Sequence, residues 1–160
     1  MSKKNKETVG VRGFFRAQIT EEGRVVGDSG WRENQVLNDG IQQYLVNWVL
    51  GDTANGKSVT HMAIGTGVAP ASNATTLPGQ VTGGKRAAVS TSVVSSRTAQ
   101  FTAAFNSADS FLTASANIAN VGLVNTSATN LGTFLCGAAF ASSAIATNNN
   151  LAITYQLRLS

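Results

Sequence analysis

The stretch Leu151-Ala-Ile-Thr-Tyr-Gln-Leu-Arg-Leu-Ser160 places Leu151, Ile153, Tyr155, Leu157 and Leu159 at one parity and Ala152, Thr154, Gln156, Arg158 and Ser160 at the other. A period of two sustained over a whole segment predicts a strand with one face on a core and one on solvent. Asn148-Asn149-Asn150 before it is a turn sequence. A strand of this quality is expected to be tied into a sheet rather than to trail free.

Working upstream, the same reading recovers more strands. Leu131 to Phe140 and Ile118 to Val124 are separated by an Asn/Ser/Thr turn at 125–130. Ala99 to Phe105 sets Phe101, Ala103 and Phe105 on one face, and Arg86 to Val94 precedes it. Val59 to Ile64 reads as a buried strand after a turn at 52–57 that contains Asn55-Gly56. Residues 65–84 are interrupted by glycines and prolines and read as mostly loop. Near the start, residues 9–19 put Val11, Gly13, Phe15, Ala17 and Ile19 on one face. Gly23, able to take positive φ, then closes a hairpin onto Arg24-Val25-Val26. Trp31, beside Gly30, is expected to anchor the crossing into the core.

One helix stands out, near residues 39–50. Ile41, Tyr44, Leu45, Trp48 and Val49 recur at i, i+3, i+4, i+7 and i+8, with Asn38 or Asp39 to cap the start and Gly51 the end. The expected fold is therefore mainly β: an antiparallel β-sandwich, with a jelly roll as one form it can take, and a single amphipathic helix. Residues 1–8 read as an N-terminal arm and residues 9–160 as a single sandwich domain.

Composition supports this class. Ala (22), Thr (17), Gly (16), Ser (15) and Asn (14) fill more than half of the chain, and charged residues are 12%. An average soluble domain carries about 25%. That balance argues against a long helical bundle and against charge-driven disorder. No apolar run reaches the ~18 residues that cross a bilayer as a helix, and MSKKNKETVG lacks the apolar core of a secretion signal. The expectation is a soluble chain, made in the cytoplasm, with no membrane partner. Cys136 has no second cysteine to pair with and His61 no second histidine, so disulfide scaffolds and most zinc sites are excluded.

The net charge of +4 is unevenly spread. Residues 1–39 hold seven basic and six acidic groups, whereas from Thr98 to Ser160 only Asp109 and Arg158 are charged. A stretch so poor in charge lacks the usual protection of sheet edges against pairing with other molecules. It reads either as a Thr/Ser-faced sheet or as a surface meant for copies of itself or a partner. Lys3, Lys4 and Lys6 form a possible partner-contact arm. No aromatic residues interleave with them, so nucleic acid is not expected and a neighbouring protein is.

No catalytic pattern emerges. Gly65-Thr66-Gly67 lacks the third glycine of a dinucleotide loop and any following Gly-Lys-Ser/Thr, and is better explained by a turn that needs positive φ. His61 has no nucleophile signature near it. Glu7, Glu21 and Glu22 lie in the arm and at the hairpin tip, while Asp28, Asp39, Asp52 and Asp109 are isolated in turns, away from any calcium-loop spacing. Cys136 reads as a small buried side chain. Trp31, Tyr44, Trp48 and Tyr155 are the aromatics that a glycan site would use. The expectation is no enzyme, no cofactor and no metal.

The succession GDSGWRENQVLNDGIQQYL, MAIGTGVAPASNATTLPGQ, GKRAAV, QFTAAFNSADSF, NIANVGL, LGTFLCGAAF and AITYQLRLS, from about Gly27 to Ser160, resembles small virion structural proteins of tailed bacteriophages. The resemblance implies a β-rich subunit that assembles on heads or tails, without a cofactor. It supplies no set of functional residues. From it follows the expectation of a homo-oligomeric auxiliary or decoration (minor capsid) subunit of the virion, partnered by the major capsid protein or tail proteins. The alternative is a tail or receptor-binding fibre component that recognises host-surface glycans.

Overall fold

The computed structural model describes residues 10–160 apart from residues 53, 55, 83, 84 and 130, and leaves undescribed the side chains of Trp48, Ser142 and Ser143. The arm with Lys3, Lys4 and Lys6 thus lies outside the described residues, as do Asn55 of the expected turn and the Trp48 side chain. The strands are β1 (Val11–Glu21), β2 (Arg24–Asp28), β3 (Arg32–Val36), β4 (His61–Gly65), β5 (Ala87–Ala88), β6 (Ser90–Ser95), β7 (Thr98–Phe105), β8 (Ala116–Val124), β9 (Phe134–Ile145) and β10 (Asn150–Leu159). Every pairing among them is antiparallel, in the order β5-β4-β8-β9-β3-β1-β10-β7-β6, with β2 added to β1. The mainly-β antiparallel expectation is met.

The chain changes sheet at two places, and these turn the sandwich into a nearly closed barrel. β3 pairs with β1 through Arg32–Asn34 and with β9 through Gln35–Val36. At the opposite corner only Val89 separates β5, which pairs with β4, from β6, which pairs with β7. Strands that switch sheets at a bend make the corners of such packings. The pairings also nest: β1 with β10, β3 with β9, β4 with β8, β6 with β7. Nesting is the jelly-roll feature of the chain, although β10 takes β7, not β4, as its second neighbour.

The interior is filled from the alternating positions. Phe15, Ala17, Phe105, Met62, Ile118, Leu123, Leu151, Ile153 and Tyr155 are all buried in one cluster. A smaller cluster of Leu37, Ala63, Leu77, Val124 and Phe134 lies apart from it. Beside it the long loop after β4 packs onto the sheet: Asn120, fully buried, donates to the carbonyls of Val68 (3.0 Å) and Pro78 (2.7 Å). With both sides covered, β8 is buried at every position from Asn120 to Val124, which a period of two does not predict.

Four expectations need correction. Trp31 is 44% exposed and anchors nothing in the core. β3, whose sequence Arg-Glu-Asn-Gln-Val has no apolar alternation, is an unforeseen strand, and β9 runs over 134–145 instead of 131–140. The helical segment is an α turn at Asn38–Gly40, a π-helix at Ile41–Val46 and an α turn at Asn47–Val49. In its wide turn the Asn47 N–H donates to the Gln42 carbonyl, five residues back. That spacing breaks the 3.6 stripe: Tyr44 is buried and its hydroxyl donates to the Thr133 carbonyl, but Ile41 and Val49 are exposed and Leu45 half-buried. The segment is seated at Gly40, where a Cβ would collide with the Leu135 backbone of β9. Lastly, neither Gly65 nor Gly67 has positive φ; Gly79 does, at 61°. The first two are glycines because a Cβ there would run into the Pro78 carbonyl.

Candidate functional surface

The strongest arrangement of side chains is the outer face of β6, β7, β10 and β1. In register, like residues lie side by side across β7 and β10: Ala104 with Ala152, Thr102 with Thr154, Gln100 with Gln156. Ser90 and Ser92 of β6 extend the Thr and Gln rows on one side, and Arg16 and Phe14 of β1 on the other. The Gln156 Nε2 donates to Gln100 Oε1 at 2.9 Å, which ties two strands together on this face. Small side chains at matched positions keep the face flat. Toward the β5 end, an open groove of about 700 Å³ is lined by both parities of β7 and β10, Thr102 to Phe105 and Ala152 to Thr154, together with Lys85, Asp109 and Phe111.

Charge collects along β1. Arg16 forms a close pair with Asp28, with Nη2 to Oδ2 at 2.5 Å and Nε to Oδ1 at 3.0 Å. Gln18 and the Gly30 N–H donate to the same carboxylate. The Arg16 bonds first, and the Gly30 N–H next, hold the Asp28 carboxyl well below the usual carboxylate range. Arg12 sits 4.0 Å from Glu33 with both side chains exposed.

The sequence-level candidates are scattered. His61 is half-buried at the start of β4 with its ring Nδ1 2.9 Å from Thr60 Oγ1; burial, then the positive Arg86, lowers its pKa. Cys136 is fully buried, and burial pushes its thiol up to about 12. Among the described residues no three His, Cys, Asp or Glu side chains come together as a metal site. Of the four aromatics, Tyr44 and Tyr155 are buried and Trp31 is exposed. Glu21 and Glu22 stand exposed at the β1–β2 tip and Asp109 in the 3-10 turn Ser107–Asp109.

A residue without a sequence signal is Arg86, 7% exposed with no carboxylate partner among the described residues. Its guanidinium donates to the carbonyls of Thr126 (3.0 Å), Thr129 (3.0 Å) and Leu131 (2.8 Å) and to Gln80 Oε1 (3.0 Å), and lies 5.3 Å from the Phe134 ring centroid. It pins the 126–131 turn to the end of the loop that follows β4. Comparison with known proteins finds no family model, no curated protein and no solved structure that matches this chain.

Proposed function

We propose that the chain is a non-enzymatic structural protein of a tailed-bacteriophage virion, an auxiliary or decoration subunit that stabilises the particle through repeated protein–protein contacts. The supporting observation is β6. All six of its residues are exposed, none is charged, and Val93 is 81% exposed. Uncharged strands open to solvent are what proteins ordinarily blunt with lysine or cover. A subunit covered by neighbours has no need of such protection, and many weak copies of one contact add up through avidity. The flat rows of Ala, Thr and Gln beside β6 suit close approach of another protein, and the sequence resemblance to virion proteins points the same way.

A receptor-binding tail component is the second reading, favoured by the exposure of Trp31 at the start of β3. Sedimentation of the purified chain over a wide concentration range, alone and mixed with heads or tails of the phage that encodes it, tests the proposal. Oligomers or co-sedimentation with heads are expected. A chain that stays monomeric and binds neither particle would sink both virion readings, and binding to tails alone would move the role from head to tail.

A further inference from the structure

At the far end of the matched face, two like charges stand opposite each other. Arg12 of β1 and Arg158 of β10 are register partners, so the pleat sends both side chains to the same face on strands ~4.8 Å apart. Directly opposed like charges oppose sheet formation. A third, Arg97, lies in the adjoining β6–β7 turn, where its carbonyl accepts from the Leu159 N–H at 2.9 Å. Among the described residues the one ion pair that these arginines make is Arg12 with Glu33, at 4.0 Å and largely in solvent.

Arg158 is nevertheless held in one orientation. Its guanidinium lies 4.3 Å from the centroid of the Phe14 ring, and its Nε and Nη2 donate to Gln156 Oε1 at 3.2 and 2.8 Å. Gln156 is fixed in turn by Gln100. An exposed arginine that is braced by a ring and an amide, and that makes no ion pair among the described residues, has already lost much of the side-chain freedom that binding would otherwise cost.

We propose that Arg12 and Arg158, with Arg97 beside them, form a docking site for an acidic polypeptide segment of another protein, whose carboxylates the two guanidinium groups receive. Planar guanidinium donors match carboxylates in paired hydrogen bonds. A polypeptide is favoured over nucleic acid because Phe14, the aromatic of this cluster, already has one face of its ring taken by Arg158, which leaves less of it for a base to stack on. The adjoining Thr and Gln rows offer uncharged hydrogen-bonding groups of the kind found at protein interfaces. The inference stands on this geometry and does not depend on a virion role.

Fluorescence anisotropy with the full chain tests it, using a labelled peptide of about ten glutamates and a single-stranded DNA of equal charge. The peptide is expected to bind with an affinity that falls as salt rises. The double variant Arg12→Gln/Arg158→Gln should lose at least about tenfold. Phe14→Leu, which removes the brace and keeps both charges, should weaken binding less, and Lys3→Gln/Lys4→Gln/Lys6→Gln should leave most of it. Circular dichroism confirms that each variant is folded. No peptide binding, peptide binding unchanged in the double arginine variant, binding carried wholly by the three lysines, or DNA bound as tightly as peptide would each overturn the proposal.

Discussion

The Asn34 Nδ2 on β3 donates a 2.6 Å hydrogen bond to the Tyr155 hydroxyl on β10, 121 residues further along the chain. Gly13 of β1 makes room for the pair: a Cβ there would overlap both partners. Tyr155 is 1% exposed, and burial, followed by the neighbouring Cys136, raises its hydroxyl pKa well above the usual value. The hydroxyl therefore stays protonated, as a hydrogen-bonding pin between two strands that do not pair with each other. Tyr155→Phe leaves the Asn34 amide facing an apolar edge and should destabilise the fold by about 1–3 kcal/mol. Urea unfolding reads this directly; an unchanged midpoint would show the bond to be idle.

Arg86→Met keeps most of the side-chain volume and removes every bond to the 126–131 turn. Freed carbonyls and the lost cation–ring contact should cost about 2–3 kcal/mol. The turn should also become the first site of cleavage in limited proteolysis. Loss of stability without new cleavage there would mean that Arg86 acts on the core and not on the turn.

Glu22 sits at φ 48° beside Gly23 at 78°, the two positive values of a tight primed hairpin. Glutamate is a poor residue for that conformation, whereas asparagine suits it. Glu22→Asn should raise stability by about 0.5–1 kcal/mol, seen as a higher melting temperature. Glu22→Val, with its branched side chain, should lower it.

Asp28 has a depressed pKa in the fold, so between the unfolded and folded values the unfolded chain binds the extra proton. Stability from its pairing with Arg16 is present above the ordinary carboxylate range near 4 and is lost as pH falls below it. Melting temperature should drop on acidification below about pH 4. In Asp28→Asn that drop should be smaller, with a lower starting value at neutral pH. Parallel pH profiles for the two proteins would rule out this pair as the source.

The strands with one buried face were legible because their neighbours in sequence declare the pleat. Phe15 and Ala17, Phe101 to Phe105, and Leu151 to Leu157 all fall on the side that period two assigns. Where another part of the chain changes the environment, that signal fails. β3 is polar up to its last residue, the buried Val36, because it exchanges one partner strand for another midway, and β8 is buried on both sides because a loop folds over it. Among the described side chains of the helix's stripe Tyr44 is buried and Leu45 half-buried, while the wide turn, with its hydrogen bond to the fifth residue back, leaves Ile41 and Val49 outward. Of the candidate surface, the poverty of charge after Thr98 was visible in the sequence. The facing of Arg12 and Arg158 was not, because it depends on a register set between two strands at opposite ends of the described chain.

The place of β10 between β1 and β7 also sets a schedule. The ribosome delivers roughly 5–20 residues per second, so Asn34 waits roughly 6–24 s for Tyr155, 121 residues behind it. Until it ends β1 and then β7 each lack β10 as a neighbour, and Phe15, Ala103 and Phe105 lack Tyr155, Ile153 and Leu151, their register partners. The nascent protein therefore cannot complete its core before β10 arrives. It must complete the structure in one late event, and a chain halted before residue 150 would be left with both unpaired edges open to aggregation.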